Sequence, residues 1–61
     1  MKTSELIRIL KGIGCKLSRH GRNHDIWYSP KTGEFEKIWR HPSKEVPTGT
    51  VEKILKKMGA K

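Results

Sequence analysis

The chain contains three histidines, and His24 is the one placed best for chemistry. An unperturbed imidazole titrates near pH ~6.5, so a histidine can take or give a proton close to neutral pH. Removing the proton of an RNA 2′-hydroxyl lets that oxygen attack the adjacent phosphate, and acid–base help of this kind is worth about 10²–10⁴-fold in rate. The run Gly21-Arg22-Asn23-His24 predicts a turn that leads into a strand, where a side chain is held rigidly and still faces solvent. His24 is therefore a candidate general base, although a solitary histidine beside a turn is more often a surface residue that only forms hydrogen bonds.

Positive charge surrounds His24 in the sequence. Arg22, together with Lys16 or Arg19, is a candidate for stabilising the charge that gathers on the phosphate oxygens during cleavage. Such a reaction requires no metal ion, and DNA, which lacks the 2′-hydroxyl, would not be cut. The side chains expected to contact RNA are Lys16, Arg19, Arg22, Asn23, Lys37 and Arg40. A second basic group follows on the last predicted helix and comprises Lys53, Lys56, Lys57 and Lys61.

Composition indicates the same class of ligand. The 61 residues include 14 Lys and Arg against 6 Asp and Glu, a formal net charge of +8 that a merely soluble domain does not need. Apolar residues recur at regular spacings, which favours a folded domain over a disordered basic tail. Nucleic acid is the first expected ligand, before a membrane surface or an acidic protein. A chain of this length forms one domain, residues 1–61, with a thin core and a shallow site.

Cysteine usage and hydropathy bear on cofactors and location. Cys15 is the only cysteine, so an internal disulfide is impossible and a reducing cytoplasm fits best. No apolar run is long enough for a signal peptide or a membrane span, so we expect a soluble, cytoplasmic protein with no membrane partner. Cys15, His20, His24 and His41 lack the paired-cysteine spacing of zinc sites. We therefore expect no metal and no small-molecule cofactor, and we expect Cys15 to be a small core residue.

Hydrophobic periodicity predicts two helices and three strands. The expected elements are a helix over 4–13, strands over 15–19, 24–29 and 35–40, and a helix that starts within 47–50 and ends before Gly59. Thr3 is the expected cap of the first helix. In the first strand Cys15 and Leu17 are expected to share a face, and Gly21 is expected to use its tolerance of positive φ in the tight turn that follows.

The predicted fold class is α+β, in the order α-β-β-β-α with a three-stranded antiparallel sheet. Two apolar helix stripes in so short a chain can be buried only against the sheet, so both helices should cover one face. Double-stranded-RNA-binding domains share this order. Alternation leaves the inner face undecided, because His24, Ile26 and Tyr28 share one face and Asp25 and Trp27 the other. Asp25 is expected to be a solvent-facing charge, and an outward Trp could stack on an unpaired base or seat a protein partner.

Over essentially all of its length the chain resembles the HicA toxins of bacterial toxin–antitoxin systems. Residues 2–10 resemble the first helix of that family, and residues 12–14 resemble its end. Residues 21–24 are similar to the short family motif that ends in histidine, and residues 40–51 with 54–59 to a second signature. The sequence departs from the family at Asn23, where serine is common, and at Cys15, where an aromatic residue is usual.

The resemblance implies a fold like that of double-stranded-RNA-binding domains and ribosome-independent cleavage of messenger RNA. It implies that His24 is the catalytic residue of an endoribonuclease and that a HicB-type antitoxin protein neutralises it. The residues themselves leave other interpretations open, namely a non-catalytic RNA-binding module, a small DNA-binding regulator, and a domain that only binds an acidic protein. The helices do not form a helix-turn-helix arrangement, which disfavours the DNA-binding regulator.

Overall fold

A computed structural model describes residues 1–60, and it confirms the predicted order α-β-β-β-α. The elements are α1 Thr3–Gly12, β1 Lys16–His20, β2 His24–Ser29, β3 Glu34–Trp39 and α2 Thr48–Met58. The predicted bounds of β2 are confirmed at both ends, and those of the other elements differ by one residue at most. Lys61, which we assigned to the basic group of the last helix, lies outside the described residues.

The three strands form an antiparallel meander in the order β1-β2-β3. β2 pairs regularly with β3, from His24 opposite Trp39 to Ser29 opposite Glu34. The pairing of β1 with β2 shifts register between Leu17 and Arg19. A shift of this kind changes the face to which the following side chains point. Residues directly opposite each other share a face, so Arg19 lies on the same face as its partner Ile26.

The core lies on the face of the sheet that carries Trp27 and Ile38. Leu6 and Leu10 of α1 join these two side chains in one buried cluster. The same cluster contains four residues of α2, namely Val51, Ile54, Leu55 and Met58. Both helices therefore cover one face of the sheet, as the apolar stripes predicted. Within residues 1–60, neither helix is long and apolar enough to cross a membrane.

The start of α1 differs from the prediction. Thr3 is the first helical residue and is fully buried, and Lys2 occupies the cap position without a side-chain cap hydrogen bond. The Thr3 hydroxyl donates to the carbonyl oxygen of Lys44 at 3.1 Å, and the Thr3 amide donates to the same oxygen at 2.9 Å. The expectation that Thr3 caps the helix is wrong, because the loop before α2 supplies a partner that draws this hydroxyl into the core.

The first strand also differs from the prediction. Cys15 is buried, as expected, but it precedes β1, and Leu17 is 41% exposed. Leu17 lies opposite Trp27 and therefore on the core side of the sheet, but it is not buried there. Every residue of β1 is exposed because this edge strand is not covered by either helix. Only the assignment of Cys15 to the core is confirmed.

Gly21 does not use positive φ, so that expectation is wrong as well. Positive φ occurs instead at Gly14, Gly33 and Gly59. Gly21 is required for a different reason: a Cβ atom at this position would lie 2.6 Å from the carbonyl oxygen of His24. The turn between β1 and β2 is thus so tight that only a residue without a side chain fits.

The face of the sheet opposite the core, which we call the outer face, is covered by neither helix. By strand alternation and register it consists of Lys16, Arg19, His24, Ile26, Tyr28, Phe35, Lys37 and Trp39. Phe35 is 51% exposed and Trp39 is 40% exposed, and the rings of Tyr28 and Phe35 lie 4.8 Å apart. An uncovered face that combines cations with aromatic rings is suited to binding a large anionic or aromatic ligand.

Candidate active site

His24 is the first residue of β2 and lies opposite Trp39, the last residue of β3. The two rings stack with their centroids 4.1 Å apart and their planes tilted by 42°. Lys44 reaches the same indole, with its ammonium 4.7 Å from the ring centroid, a cation–π distance. Strand pairing and ring stacking together restrict the orientation of the imidazole, which is half-buried and still borders solvent.

His24 lines a shallow depression of about 310 Å³ at one end of the outer face. We call it the histidine depression, and it is bordered by Arg19, His20, Gly21, Arg22, His24, Ile26 and Lys37. The His24 imidazole therefore lies beside three cationic residues, Arg19, Arg22 and Lys37. Cations beside an imidazole can bind a phosphodiester and stabilise the charge that develops on it while the imidazole moves a proton.

Asp25 points away from the histidine depression and holds two neighbours. Its Oδ1 accepts hydrogen bonds from His20 Nδ1 at 2.9 Å and from Arg40 Nε at 3.2 Å. The hydrogen bond from His20, followed by the hydrogen bond and charge of Arg40, holds the pKa of Asp25 below its ordinary value, against the opposing effect of desolvation. The Asp25 side chain is only 14% exposed. The expectation of a solvent-facing charge is thus wrong, because the imidazole of His20 and the guanidinium of Arg40 enclose the carboxylate.

The turn before His24, residues 21–23, is fixed from both sides. The amide of Gly21 donates to the carbonyl oxygen of His24 at 2.6 Å, and the amide of Arg40 donates to the carbonyl oxygen of Asn23 at 3.4 Å. The guanidinium of Arg40 also donates to the carbonyl oxygen of Gly21. Arg40 therefore joins the end of β3 to the turn that carries His24.

The structure brings some of the predicted RNA-contacting residues together and leaves others apart. Arg19, Arg22 and Lys37 border the histidine depression with His24. Lys16 lies on the outer face at the far end of β1, opposite Tyr28. The remaining two are Asn23, which is exposed in the turn, and Arg40, whose guanidinium is engaged by Asp25 and Gly21.

His20 borders the histidine depression and, like Gly21 and Ile26, was not named as a site residue by the sequence analysis. We considered it only as a metal ligand, and that pattern did not suit zinc. A different signal was available, because a three-residue turn joins the last residue of one strand to the first residue of the next. Such a turn brings His20 and His24 to the same end of the sheet.

A metal centre finds no support in the side-chain arrangement. Over residues 1–60, no group of three or more His, Cys, Asp or Glu side chains is close enough to hold a metal ion. Cys15 is a free cysteine, and it is buried among the apolar side chains of the core.

Comparison with known families agrees with the resemblance seen in the sequence. A family model described as the HicA toxin of bacterial toxin-antitoxin matches residues 3–60. The matched range extends from the first residue of α1 to beyond the end of α2. No curated protein and no solved structure matches the chain.

Proposed function

Because the chain belongs to the HicA toxin family of bacterial toxin–antitoxin systems, we propose that it is an endoribonuclease that cleaves messenger RNA and thereby inhibits translation and growth. The observation that carries this proposal is the position of His24 at the start of a strand, in the wall of the histidine depression. An oriented imidazole beside Arg19, Arg22 and Lys37 is the set of groups that this cleavage requires.

In the proposed reaction His24 acts as general base. Its neutral imidazole takes the proton of the 2′-hydroxyl, and the 2′-oxygen attacks the adjacent phosphorus. The bond between phosphorus and the 5′-oxygen breaks, which leaves a 2′,3′-cyclic phosphate on one product and a 5′-hydroxyl on the other. Arg22 and Arg19 or Lys37 stabilise the charge on the non-bridging oxygens. Because these groups supply the base and the positive charge, the reaction requires no metal ion.

RNA is proposed to lie across the outer face. Lys16, Arg19 and Lys37 point to this side of the sheet, and Asn23 is exposed at its edge. The exposed rings of Phe35 and Trp39 offer stacking surfaces to unpaired bases. Binding by phosphate contacts weakens steeply as the salt concentration rises. For each phosphate contact, the binding constant falls by about tenfold when the salt concentration rises tenfold. In this arrangement Arg40 serves RNA indirectly, because its guanidinium holds the turn that presents His24.

A HicB-type antitoxin is proposed to neutralise the protein by covering the outer face and His24. Aromatic side chains such as Phe35 and Trp39 are typical of protein interfaces, and an acidic partner would offset the net charge of +8. The toxin, its partner and messenger RNA would then meet in the cytoplasm. If a purified complex with the antitoxin still bound RNA on this face, the proposed mode of neutralisation would be contradicted.

The central test compares His24→Ala with His41→Ala, which removes an exposed imidazole outside the histidine depression. We expect the wild type and His41→Ala to cleave RNA in the presence of a chelator. His24→Ala should lose at least about 10²-fold in cleavage rate and keep its fold and its RNA affinity. Growth arrest on expression should follow the same order.

Two outcomes would change the conclusion. If His24→Ala cleaves RNA and arrests growth like the wild type, then His24 is not the base. If the wild type binds RNA with strong salt dependence and yields no cleavage products, the protein is a non-catalytic RNA-binding module. The uncovered outer face favours that module as the second candidate, because rings and cations bind RNA without needing His24.

A further inference from the structure

We propose that the free edge of β3 binds an extended, acidic segment of a partner protein. The segment adds a fourth strand to the sheet and places apolar side chains in a groove beside that edge. β3 is the last strand in the order β1-β2-β3, so within residues 1–60 only one of its two edges is paired. This site for a protein lies beyond the proposed function, because binding there requires no cleavage of RNA.

The hydrogen bonds of β3 indicate which of its backbone groups face the free edge. In an antiparallel pair, the N–H and C=O groups of alternate residues point to the partner strand, and those of the residues between them point away. The amide of Lys37 donates to the side chain of its neighbour Glu36 at 3.1 Å. The amide of Arg40 donates across the pair to the carbonyl oxygen of Asn23. The backbone groups of the odd-numbered residues of β3 therefore face away from β2 and are accessible to a further strand.

The Glu36 carboxylate supplies the acceptor that a neighbouring strand would offer to the Lys37 amide. The same carboxylate lies 3.5 Å from Nζ of Lys57 in α2, and an ion pair this exposed contributes little to folding. Rotation about the bonds of the Glu36 side chain would release the amide. The edge is therefore satisfied when it is alone, and it becomes available when a carbonyl oxygen of an added strand replaces the carboxylate.

A groove of about 300 Å³ lies beside the free edge, between β3 and the first half of α2. Its lining includes Lys37 from the outer face of β3 and Ile38 from the core face, which places the groove at the edge of the sheet. Its apolar part consists of Leu6, Ile38, Val46 and Ile54. A strand directs alternate side chains to opposite faces, so the core-facing side chains of an added strand would enter this apolar part. Their removal from water would favour binding.

The charges around the groove determine which kind of segment fits. Lys37 borders the groove from β3 and Lys53 borders it from α2, while Glu36 in the same lining is paired with Lys57. A second copy of this chain carries the same net charge of +8 and would be repelled. The carboxylates of an acidic segment would instead lie beside Lys37 across the new strand pair. Alternating acidic and apolar residues are therefore the pattern that suits this edge.

The other edge strand, β1, is less suited to pairing. Its register against β2 shifts between Leu17 and Arg19, and irregularities of this kind protect edge strands from association. The register of β3 against β2 is regular along all six residues of the strand. A regular edge with a groove beside it can accept a further strand over its whole length.

A segment in the groove would also contact the proposed active site, because His24 and Trp39 belong to the groove lining. The backbone of Trp39 lies at the free edge, and its ring stacks on His24. A strand paired at this end of β3 would therefore occupy space that RNA needs to reach the imidazole. Binding at the edge would thus couple a protein partner to access to His24.

The same features have a purely protective explanation, in which Glu36 and Lys37 only prevent association of the free edge. Charged side chains on edge strands commonly have this role. The two explanations differ in one respect, which is whether an acidic strand binds to the folded protein. Protection alone predicts that no peptide recognises the groove.

The first experiment selects short random peptides, displayed on phage, against the immobilised whole protein. The most enriched peptide is then synthesised, and its dissociation constant is measured in solution. We expect enriched sequences in which acidic and apolar residues alternate. Lys53→Glu should weaken binding of the peptide about tenfold, because it reverses a charge at the groove. Lys56→Glu makes the same change in net charge on the same helix outside the groove, and it should bind like the wild type.

A second pair of variants tests strand pairing itself. Lys37→Pro removes the edge amide together with the charge, whereas Lys37→Gln removes the charge alone. Proline is tolerated in an edge strand where its position faces away from the sheet. We expect Lys37→Pro to bind the peptide at least about fivefold more weakly than Lys37→Gln. If Lys37→Pro does not fold, Thr50→Trp, which fills the groove from an exposed position, should prevent binding.

Several results would overturn the proposal. They are the absence of enriched peptides, enrichment of peptides without acidic residues, and equal binding by Lys53→Glu and Lys56→Glu. Equal binding by Lys37→Pro and Lys37→Gln would exclude the added strand. If an RNA oligonucleotide rather than a peptide distinguishes Lys53→Glu from Lys56→Glu, the groove belongs to the RNA-binding surface. Because peptide binding is measured without cleavage, each of these results leaves the nuclease proposal to its own test, and circular dichroism establishes that the compared variants are folded.

Discussion

The two turns of the sheet are held by different kinds of interaction. The turn between β2 and β3, residues 30–33, is anchored to the end of α2 by neutral hydrogen bonds. The hydroxyl of Ser29 donates to the carbonyl oxygen of Met58 at 2.6 Å, and the hydroxyl of Thr32 donates to that of Lys57 at 3.1 Å. The turn between β1 and β2, residues 21–23, is held by charged groups in addition to its backbone hydrogen bonds, because Arg40 bridges Asp25 and Gly21.

The difference separates stability from function. A buried neutral hydrogen bond contributes to folding at every pH and salt concentration, and breaking it leaves a buried polar group without a partner. An exposed ion pair contributes little to folding and responds to pH and salt. The hydrogen bonds that do not depend on pH thus lie at the turn without candidate site residues. The ion pair that depends on pH and salt lies at the turn that precedes His24.

The largest effect should come from disturbing the first turn. Gly21→Ala adds a Cβ atom 2.6 Å from the carbonyl oxygen of His24, a distance that the backbone must relieve by moving. Since His24 begins the strand there, we expect cleavage to fall about 10²-fold from misplacement alone. Rates measured on protein that is folded by circular dichroism test this expectation. Unchanged cleavage would mean that the turn does not set the position of His24.

The matching change at the second turn should reduce stability and spare activity. Ser29→Ala removes the buried hydroxyl that binds the Met58 carbonyl. We expect the free energy of unfolding to fall by about 2 kcal/mol, because a buried acceptor loses its donor. Cleavage per folded molecule should stay at the wild-type level. A chemical denaturation curve measures the first quantity, and a fall in cleavage per folded molecule would contradict the division between the turns.

A smaller effect is expected at Gly33, the positive-φ residue of the second turn. Its φ of 74° strains any residue with a Cβ atom, although no neighbouring atom lies within 4 Å of the position such a Cβ would occupy. Gly33→Ala should therefore lower the free energy of unfolding by about 1 kcal/mol from backbone strain alone. Thermal unfolding measures this change. A loss as large as that of Ser29→Ala would point to a contact that the turn makes elsewhere.

The smallest effect is expected on the free energy of unfolding at acidic pH. The pKa of Asp25 in the folded protein lies below its ordinary value of 3.8, so the stability that this carboxylate contributes is complete above that value. It is lost as the pH falls through the lowered pKa of the folded state. Below about pH 4 the difference in unfolding free energy between the wild type and Asp25→Asn should therefore shrink. If the difference stays constant across this pH range, the contacts of the ionised Asp25 do not contribute to the stability of the fold.

The sequence predicted the elements well because their signals are local. Two apolar stripes at helical spacing and strand-forming residues bounded by Gly and Pro are read within a few residues. The inner face of the sheet was not predictable in this way. Trp27 and Ile38 point to the core, while Ile26, Tyr28 and Phe35 point outward, so each face carries apolar side chains. Only the packing of the helices decides between them.

Partners distant in the chain explain the remaining errors. Thr3 donates a hydrogen bond to Lys44, and Asp25 accepts one from Arg40. Neither contact is indicated by a pattern in the sequence. His24 was singled out because its turn is a local signal and because the motif resembles a known family. His20 was not named as a site residue because its contact with Asp25 depends on the register of β1 against β2. The basic residues expected to contact RNA were predicted as a group. The fold places Arg19, Arg22 and Lys37 at the histidine depression, Lys16 at the far end of β1, and Arg40 in contact with Asp25 and Gly21.

The stacking of His24 on Trp39 provides an intrinsic fluorescence reporter. A protonated imidazole quenches the emission of an adjacent indole, so the intensity of Trp39 should drop when His24 takes up a proton. The other tryptophan, Trp27, is buried in the core, and its emission maximum reports unfolding instead. With Trp27→Phe as background, one unlabelled sample would thus reveal optically when this imidazole is charged and when an RNA or a protein displaces its neighbour.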